Sequence, residues 1–434
     1  MLYNILHKIK KSGIKNIFMN KKRIAALCVL SGLLLLLSTI LIIIKLSPPT
    51  SSETEIKTES KNISTMEQTT EIITTEVYEE ITLSEEEIEK QIIEDLIINM
   101  TLEEKVGQMF FCAFRQDSTW SDIVGINDEI KHIIKNYNIG GVVLFSENIQ
   151  SAEQVTNYIN DLQNEADTTL FIGIDEEGGR VLRTFSLDVE RVSSALNIGK
   201  TGDANNAYNA AKIIADYLFP LGFNVDFAPV ADIFTNPSNT VIGDRAFSTE
   251  AETAAVMVES FSQGLLDNGI LSALKHFPGH GDTNEDSHYG ISSTKKTLAE
   301  LYECEFIPFK RGIDAGAPFV MVGHISTPNI TGDEMPAIFS NFLLQDVLRE
   351  MLGFEGIIIT DSLAMGAVTR YFTSEETAVK SILAGVDMLL MPENFYEAYT
   401  GVINAVKSGE ISEEQINASV RRILTLKRSA GLIQ

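Results

Sequence analysis

The chain has 434 residues and a net charge of −26 at neutral pH. Such an acidic chain is not expected to bind nucleic acid, because contacts to phosphates require a basic surface. Its length allows one large domain or two modest ones. The three cysteines, Cys28, Cys112 and Cys304, are too few for a disulfide framework, and their wide spacing fits no metal-binding motif. Isolated thiols are therefore expected.

The first 46 residues predict a membrane anchor. Residues 1–23 contain seven basic residues and no acidic one, and residues 24–44 are apolar or small throughout. An apolar stretch of this length can cross a bilayer, and its positive flank places the N-terminus in the cytoplasm. A cleaved signal peptide is the alternative, but its apolar region is usually shorter. We therefore expect a basic cytoplasmic segment over 1–23, a single transmembrane helix over 24–46, and the rest of the chain on the extracytoplasmic side of the cell membrane.

A linker is predicted between this anchor and the folded part. Residues 47–83 are rich in Ser, Thr and Glu and poor in large apolar residues. Such a composition cannot bury enough surface to offset the entropy lost on ordering, so a disordered acidic linker is expected. Ser84 and Glu87 then have the spacing of a capping box, which predicts that a helix and a single folded domain over 84–434 begin here.

The remainder alternates short apolar runs with longer amphipathic stretches, the pattern of parallel βα units. Eight strands are predicted, at Gly107–Ala113, Gly141–Phe145, Leu170–Ile174, Phe223–Ala228, Leu271–Lys275, Phe319–Val322, Gly356–Thr360 and Val386–Met391. Helices are predicted at Ser151–Ala166, Asn205–Leu221, Glu250–Asp267, Asn341–Met351 and Ser412–Ala430. Eight such units predict an α/β fold of the (β/α)₈ TIM-barrel type. A doubly wound open sheet is the alternative, but no Gly-rich phosphate loop follows the first strand.

Titratable side chains follow five of the predicted strands. They are Asp175, Glu176, Glu177 and Arg180 after the third, Asp226, Asp232, Asp244 and Arg245 in and after the fourth, Lys275 and His276 at the end of the fifth, His324 after the sixth, and Asp361 after the seventh. In a barrel of this type the carboxyl ends of the strands surround one pocket, and the chemistry takes place there. The pattern therefore predicts an active site at this end, where Asp226 and Asp232 support the Lys and Arg groups and His280 forms hydrogen bonds within the loop that follows the fifth strand.

The longest of these stretches runs from Lys275 to Gly290 and contains three of the six histidines of the chain, His276, His280 and His288. Histidines and carboxylates can bind zinc. Two rings four residues apart face the same ligand only on a helix, however, and Pro278 breaks helices. No metal ion and no cofactor are therefore expected, and the stretch from Pro278 to Gly290 is predicted to be a mobile loop that closes over a substrate.

Seven stretches in one order resemble glycoside hydrolase family 3, and in particular its bacterial β-N-acetylhexosaminidase branch. They are MTLEEKVGQMF (100–110), GGVVLF (140–145), IDEEGGRVLR (174–183), VDFAPVADI (225–233), IGDRAFS (242–248), KHFPGHGDTNEDSH (275–288) and ITDSLAMGA (359–367). The resemblance implies that Asp361 is the nucleophile and that Asp286 and His288 form the acid/base dyad. It also implies a set of residues that bind the N-acetylglucosamine unit, namely Asp175, Arg183, Arg245, Lys275 and His276.

These residue types suit glycoside cleavage. The oxocarbenium-like transition state needs a fixed carboxylate beneath the anomeric carbon, and basic neighbours such as Lys275, Arg183 and Arg245 would keep the pKa of Asp361 low. An Asp that only caps the next helix is the alternative for Asp361. A histidine such as His288 can both donate and accept a proton near neutral pH. Asp286 lies close enough in sequence to orient its ring.

The resemblance therefore implies a retaining exo-β-N-acetylhexosaminidase that releases terminal β-linked N-acetylglucosamine from peptidoglycan fragments or related glycans. A β-glucosidase, a β-xylosidase and an N-acetylglucosaminide phosphorylase of the same family are the enzymatic alternatives. A wall protein that only binds glycans is the non-enzymatic alternative. Besides the membrane, the expected partner is this glycan.

Overall fold

The predicted capping box is present at the start of the described part of the chain. The backbone N–H of Glu87 donates to Ser84 Oγ (3.2 Å), and the Glu87 carboxylate accepts from the Ser84 N–H (2.8 Å). The computed structural model describes residues 84–283 and 290–434. The segments predicted at 1–23, 24–46 and 47–83 lie outside these residues. Within them, no helix has both the length and the apolar character needed to cross a bilayer.

Eight parallel strands form the centre of the domain, in the order of the predicted ones. They are β1 (Phe110–Ala113), β2 (Gly141–Val143), β3 (Phe171–Ile174), β4 (Val225–Asp226), β5 (Leu271–Phe277), β6 (Phe319–Val322), β7 (Ile357–Thr360) and β8 (Leu389–Leu390). Each strand from β1 to β6 pairs with the strand that follows it in the chain. The eighth strand, β8, pairs with β1 through Phe110 opposite Leu389. A single parallel bridge between Ile359 and Met388 joins β7 to β8. The sheet is thus a nearly closed barrel, and the predicted fold class is confirmed.

Helices connect the strands and surround the barrel. They are α1 (Glu85–Asn99), α2 (Leu102–Gln108), α3 (Asp128–Tyr137), α4 (Ala152–Glu165), α5 (Ala195–Gly199), α6 (Ala204–Leu221), α7 (Ala251–Leu266), α8 (Leu298–Glu303), α9 (Phe306–Asp314), α10 (Pro328–Thr331), a π-helix (Phe342–Met351), α11 (Gly366–Thr369), α12 (Ser374–Ala384), α13 (Phe395–Ser408) and α14 (Glu413–Ser429). A separate pair of two-residue strands joins Ser292–Ser293 to Ile325–Ser326. The five predicted helices all form, with ends shifted by at most one residue.

The strand at Phe319–Val322 has the predicted limits, and the other seven differ from the prediction at one or both ends. The first strand begins at Phe110 rather than Gly107, because Thr101 and Glu104 form a capping box that starts α2. The fourth is shorter than predicted, with only Val225–Asp226 in the ladder. The fifth extends two residues further, to Phe277. Its last residues, including His276, therefore belong to the rigid sheet rather than to the loop.

Aromatic rings fill the barrel interior. Phe111 lies between Phe171 and Phe227, with ring centroids 6.4 and 5.3 Å away, and Phe171 also contacts Phe319 at 5.4 Å. Gly173 is required beside them, since a Cβ there would lie 2.9 Å from both Phe111 and Phe227. This close packing holds the strands in place and so fixes the positions of the side chains at their carboxyl ends.

Candidate active site

Asp361 lies directly after β7, half-buried at the end of the barrel. Its backbone N–H donates to the carbonyl of Val322 on β6 (2.9 Å), and its Oδ1 accepts from the N–H of Ser362 (2.7 Å). The carbonyl of Ser362 accepts in turn from Nε2–H of the buried His324 (2.8 Å). His324 thus supports the segment that carries Asp361, and Asp361 itself is held through its backbone N–H and through its Oδ1.

Four charged side chains from three strand ends form a buried network beside Asp361. Lys275 Nζ lies 2.9 Å from Asp175 Oδ1 and 2.6 Å from Glu177 Oε1. Arg245 donates to Glu177 through two parallel hydrogen bonds, each 2.8 Å long. Two-pronged contacts of this kind fix the guanidinium plane. Lys275 and Arg245, which are far apart in sequence, are therefore positioned by one shared carboxylate.

In this network, the effect of charge pairing on the pKa values is larger than the effect of burial. Burial alone would raise the pKa of Asp175 and Glu177, but Lys275 together with Arg183 or Arg245 lowers both pKa values. Burial alone would lower the pKa of Lys275, yet Asp175 and Glu177 raise it. All four groups are therefore ionised at neutral pH, and they present fixed charges to a ligand.

Arg183 extends the network toward Phe145. Its Nη2 lies 3.4 Å from Asp175 Oδ2, and its guanidinium carbon is 5.3 Å from the centre of the Phe145 ring. Its Nε is buried and has no hydrogen-bond partner among the described residues. An unpaired buried donor is costly, whereas the Arg183 side chain as a whole is 28% exposed and lines the cavity.

His276 is held by the buried carboxylate of Asp232. Its Nδ1 lies 2.7 Å from Asp232 Oδ2, and its backbone N–H also points at this carboxylate. Asp232 also accepts from the backbone N–H of His280 (2.6 Å), and His280 Nδ1 contacts Thr283 Oγ1 (2.6 Å). Burial lowers the pKa of His280 to about 4. His280 is thus a neutral member of the loop's own hydrogen bonds, as predicted.

The pKa of Asp361 lies below its ordinary value. Burial raises it, but the rings of His276 and His324, the Ser362 N–H and then Lys275 lower it by a larger total. The direction agrees with the prediction from sequence. The main cause differs, because the two imidazole rings exceed Lys275, and neither arginine is among the leading causes.

The predicted residues that the structure describes line one cavity of about 460 Å³. They are Asp175, Arg183, Arg245, Lys275, His276 and Asp361, together with Glu177, His280, Arg115 and Phe145. Asp286 and His288 lie outside the described residues. The roles of all these residues stay predictions.

The root of the loop after β5 is fixed. His280 and Gly281 are buried, and a Cβ on Gly281 would lie 1.7 Å from the Ile233 carbonyl oxygen. Asn239 Nδ2 donates to the carbonyl of His280 (2.7 Å), and Asn236 Nδ2 donates to that of Thr283 (3.0 Å). The prediction of a mobile loop from Pro278 onward is therefore wrong for 278–283. The glycines and the proline suggested freedom, whereas Gly279 and Gly281 permit tight contact with Glu305 and Ile233.

Two other expectations need correction. Asp226 and Asp232 were expected to support the Lys and Arg groups. Asp232 binds His276 instead, and Asp226 accepts from the N–H of Glu176 (2.9 Å). Glu177, which links Lys275 to Arg245, was not assigned a role from sequence. The only signal was its place in a run of three acids, and strand alternation beyond the end of β3 does not reveal which acid faces the cavity.

The barrel carries a carboxylate and a polar, ion-paired cavity at its C-terminal end, where enzymes of this fold have their active sites. The sequence profile described as Glycosyl hydrolase family 3 N terminal domain matches residues 101–426. The chain belongs to glycosyl hydrolase family 3, as the seven sequence stretches indicated, and the predicted enzyme class is confirmed at the level of the family.

Similar proteins share this barrel. The chain is 33% identical over 327 residues to a β-hexosaminidase A of Pseudoalteromonas piscicida, covering 69% of this chain but 55% of that protein. It is 31% identical to the β-hexosaminidase LpqI of Mycobacterium tuberculosis, covering 70% and 80% of the two chains. A solved family 3 β-N-acetylglucosaminidase from a Paenibacillus species superposes with a TM-score of 0.73 at 36% identity, covering 77% and 63%. The chain thus spans little more than half the length of some relatives.

Proposed function

We propose that the protein is a retaining exo-β-N-acetylhexosaminidase. It releases terminal β-linked N-acetylglucosamine from peptidoglycan fragments or related glycans, through a covalent glycosyl–Asp361 intermediate. The observation that carries this proposal is the position of Asp361, an ionised and doubly supported carboxylate in the same cavity as the Lys275 network. The printed activities of the relatives support the choice of sugar.

Asp361 meets the needs of a nucleophile. The carboxylate must be ionised to bond to the anomeric carbon, and its lowered pKa keeps it so across the neutral range. It must also stay in place as positive charge develops, and the contacts of its backbone with Val322 and Ser362 hold it there. A cap for the next helix would explain only the Ser362 contact and not the place of Asp361 in the cavity wall.

The ion-paired network suits the sugar. Sugar hydroxyl groups donate and accept at the same oxygen, and Asp175 and Lys275 present an acceptor and a donor 2.9 Å apart. Arg183 adds a donor without a protein partner. Charge-assisted bonds of this type are about twice as strong as neutral ones, so they suit the recognition of one sugar unit.

His288 and Asp286 complete the mechanism that we propose. His288 protonates the leaving oxygen and later takes a proton from water, while Asp286 orients its ring. The described end of the loop at Thr283 is anchored to the cavity wall through His280. The dyad follows within five residues of Thr283 in the sequence. The basic segment and apolar stretch at 1–46 lead us to propose a membrane-anchored enzyme that acts outside the membrane.

The proposal is tested with the full chain on aryl β-N-acetylglucosaminide and aryl β-glucoside. Asp361→Asn is expected to lower kcat about a thousandfold or more, and His288→Ala about 10²- to 10⁴-fold. Asp216→Asn removes an exposed carboxylate that pairs with Lys212 on α6 and is the matched control. A slow fluorinated substrate should add one sugar to the peptide that contains Asp361, as seen by mass spectrometry. Full activity of Asp361→Asn, or preference for the glucoside, would refute the mechanism or the specificity.

Phosphorolysis is a second candidate, because the cationic side chain of Arg183 lines the cavity and would serve a phosphate oxygen as well as a sugar oxygen. A neutral His288 would also repel an anionic acceptor less than a carboxylate would. Product analysis in phosphate buffer separates the two reactions. Sugar 1-phosphate indicates phosphorolysis, and free sugar alone indicates hydrolysis.

A further inference from the structure

Two segments that contribute to the wall of the catalytic cavity are tied to each other twice. The turn at 177–181 follows β3, and the segment at 239–245 lies between β4 and α7. Each gives the other one carboxylate and one arginine. In the inner pair, Arg245 donates to Glu177, and in the outer pair, Arg180 Nε lies 2.9 Å from Asp244 Oδ1. The inner pair belongs to the network around Lys275, whereas the outer pair has no part in the chemistry proposed above.

The two pairs lie on opposite sides of the turn at 177–181. The side chains of the inner pair are 6% and 13% exposed, and those of the outer pair are 46% and 45% exposed. Gly178 and Gly179 separate Glu177 from Arg180 and have φ values of 84° and 57°, which favour glycine. This tight turn allows Glu177 to line the cavity while Arg180 reaches the segment at 239–245 from outside.

Arg180 makes more contacts than its ion pair. Its Nη2 also lies within hydrogen-bond distance of three successive backbone carbonyls, those of Thr240 (2.9 Å), Val241 (2.8 Å) and Ile242 (3.0 Å). An exposed ion pair by itself stabilises a protein little. Hydrogen bonds from a charged donor are stronger than neutral ones, so these carbonyl contacts fix the course of the backbone at 240–242.

The carbonyl of Val241 connects Arg180 to Arg245. It accepts from Arg180 Nη2 and also from Arg245 Nη1 (3.1 Å). On the other side of this backbone, the buried Asn239 accepts through Oδ1 from the N–H groups of Val241 (3.0 Å) and Ile242 (2.9 Å). The guanidinium of Arg245 is thus held by Glu177 at one edge and by this carbonyl at another, and Arg180 fixes the carbonyl.

We propose that Arg180 is a positioning residue that orients Arg245 for the sugar through the carbonyl of Val241. The inference rests on the proposed function, because it takes Arg245 as a group that binds the sugar. Arg245 and Val241 line the cavity, whereas Arg180 does not. A change at Arg180 should therefore weaken binding of the sugar more than it slows the chemical step at Asp361.

Steady-state kinetics of the full chain test this effect. Arg180→Met is expected to lower kcat/KM for the aryl β-N-acetylglucosaminide about 10- to 100-fold, mainly through KM, because a small displacement of a binding group is costly. Arg180→Lys keeps the charge but lacks the planar fork, so a loss of about three- to tenfold should remain. A loss confined to kcat, or a lysine variant equal to the wild type, would overturn the inference.

Arg311→Met is the matched control. Arg311 on α9 pairs with Glu259 on α7, and the two side chains are 49% and 40% exposed, close to the values for Arg180 and Asp244. Neither residue of this pair lines the cavity. The kinetics of this variant should equal those of the wild type. A loss as large as that of Arg180→Met would show that removal of any such exposed ion pair has the same effect, which would contradict the inference.

A double variant separates positioning from a general structural role. In Arg245→Lys the two-pronged contact with Glu177 is already lost, so adding Arg180→Met should lower kcat/KM by less than about threefold. Residues that act through one another show such non-additive effects. If Arg180→Met lowers kcat/KM by the same factor with Arg245 present or replaced, Arg180 does not act through Arg245.

Hydrogen exchange gives a measurement that does not depend on activity. The peptide that covers 239–245 should exchange its backbone amides faster in Arg180→Met than in the wild type, and at the wild-type rate in Arg311→Met. Unchanged exchange in Arg180→Met would overturn the inference. If the wild type cleaves no N-acetylglucosaminide, the proposed function fails, while the exchange rates still decide whether Arg180 holds this segment.

Discussion

Two buried lysines at different places in the barrel have opposite electrostatic environments. Lys275 is 2% exposed at the end of β5, and two carboxylates raise its pKa. Lys427 on α14 is 0% exposed, and its Nζ contacts only Gln108 Oε1 (2.8 Å) and the face of Phe171 among the described residues. Burial lowers the pKa of Lys427 to about 7. Burial is the same in both cases, so the charged partners decide whether the amine keeps its proton.

The difference separates function from packing. Lys275 is held charged with its partners in a cavity that a ligand can enter. Lys427 lies among apolar groups, and Gln108 is itself occupied, since its Nε2 donates to the carbonyl of Asn138 (2.6 Å). A buried cation that lacks a carboxylate costs stability, whereas one with two carboxylates provides a fixed charge for recognition.

The largest expected effect comes from Lys275→Met. Asp175 and Glu177 would lose their shared cation inside the protein, and breaking such a buried pair costs about 3–5 kcal/mol of the free energy of unfolding. Urea unfolding at pH 7 measures this loss, and the aryl N-acetylglucosaminide assay should show loss of activity. A variant as stable as the wild type would mean that the network is solvated rather than buried.

Lys427→Met should have the opposite sign. The pKa of Lys427 falls from 10.5 to about 7 on folding, and one pKa unit corresponds to about 1.4 kcal/mol. In the wild type, the lowered pKa of Lys427 has no effect on the free energy of unfolding above pH 10.5. It destabilises the protein increasingly as pH falls toward 7, and the effect is constant at lower pH. Removing the amine should therefore stabilise the protein at pH 7. The loss of the hydrogen-bond partner of Gln108 should offset roughly 1–3 kcal/mol of this gain.

The pH series gives this prediction its control. Urea unfolding of Lys427→Met and the wild type from pH 6 to pH 10 should show an advantage of the variant that shrinks as pH rises. Activity should be unchanged, since Lys427 is far from Asp361 and does not line the cavity. A difference that does not depend on pH would show that Lys427 is not neutralised on folding.

Glu177→Gln should weaken the buried network around Lys275 without removing all of its charge pairs. Lys275 keeps Asp175, but Arg245 loses the carboxylate that orients it, so kcat/KM should fall by up to about 100-fold. Because Glu177 helps to raise the pKa of Lys275, the variant should lose activity at lower alkaline pH than the wild type. The pH dependence of kcat/KM checks both points, and an unchanged alkaline limb would contradict the pairing.

The smallest effect is expected for His324→Gln. The amide can still donate to the Ser362 carbonyl, so the position of Asp361 should be kept. The ring of His324 helps to lower the pKa of Asp361, and its removal should move the acid limb of the pH profile upward. Since ionised Asp361 is required, activity is lost as pH falls through this pKa. If the acid limb does not move and activity is normal, the low pKa of Asp361 is due to His276 and the Ser362 N–H rather than to His324.

Much of the site could be predicted from sequence because it depends on local patterns. Alternating apolar runs and helices predicted the eight strands, and the residues after each run predicted the candidates at their ends, except Arg183, which only the family resemblance implied. Asp175, Arg183, Arg245, Lys275, His276 and Asp361 do line one cavity. Partner choice could not be predicted, since Asp175 and Lys275 are 100 residues apart in the chain and meet only when the barrel closes.

The sequence by itself determined the order of the strands, the helix caps and the positions of acids and bases at the carboxyl ends of strands, because periodicity and capping act over a few residues. Only the tertiary structure decided that Glu177 rather than Glu176 joins Lys275 to Arg245, that Asp232 holds His276, and that Lys427 is left without a carboxylate. These outcomes depend on which groups approach within about 3 Å in a place without water, where pairing and burial are large and opposed.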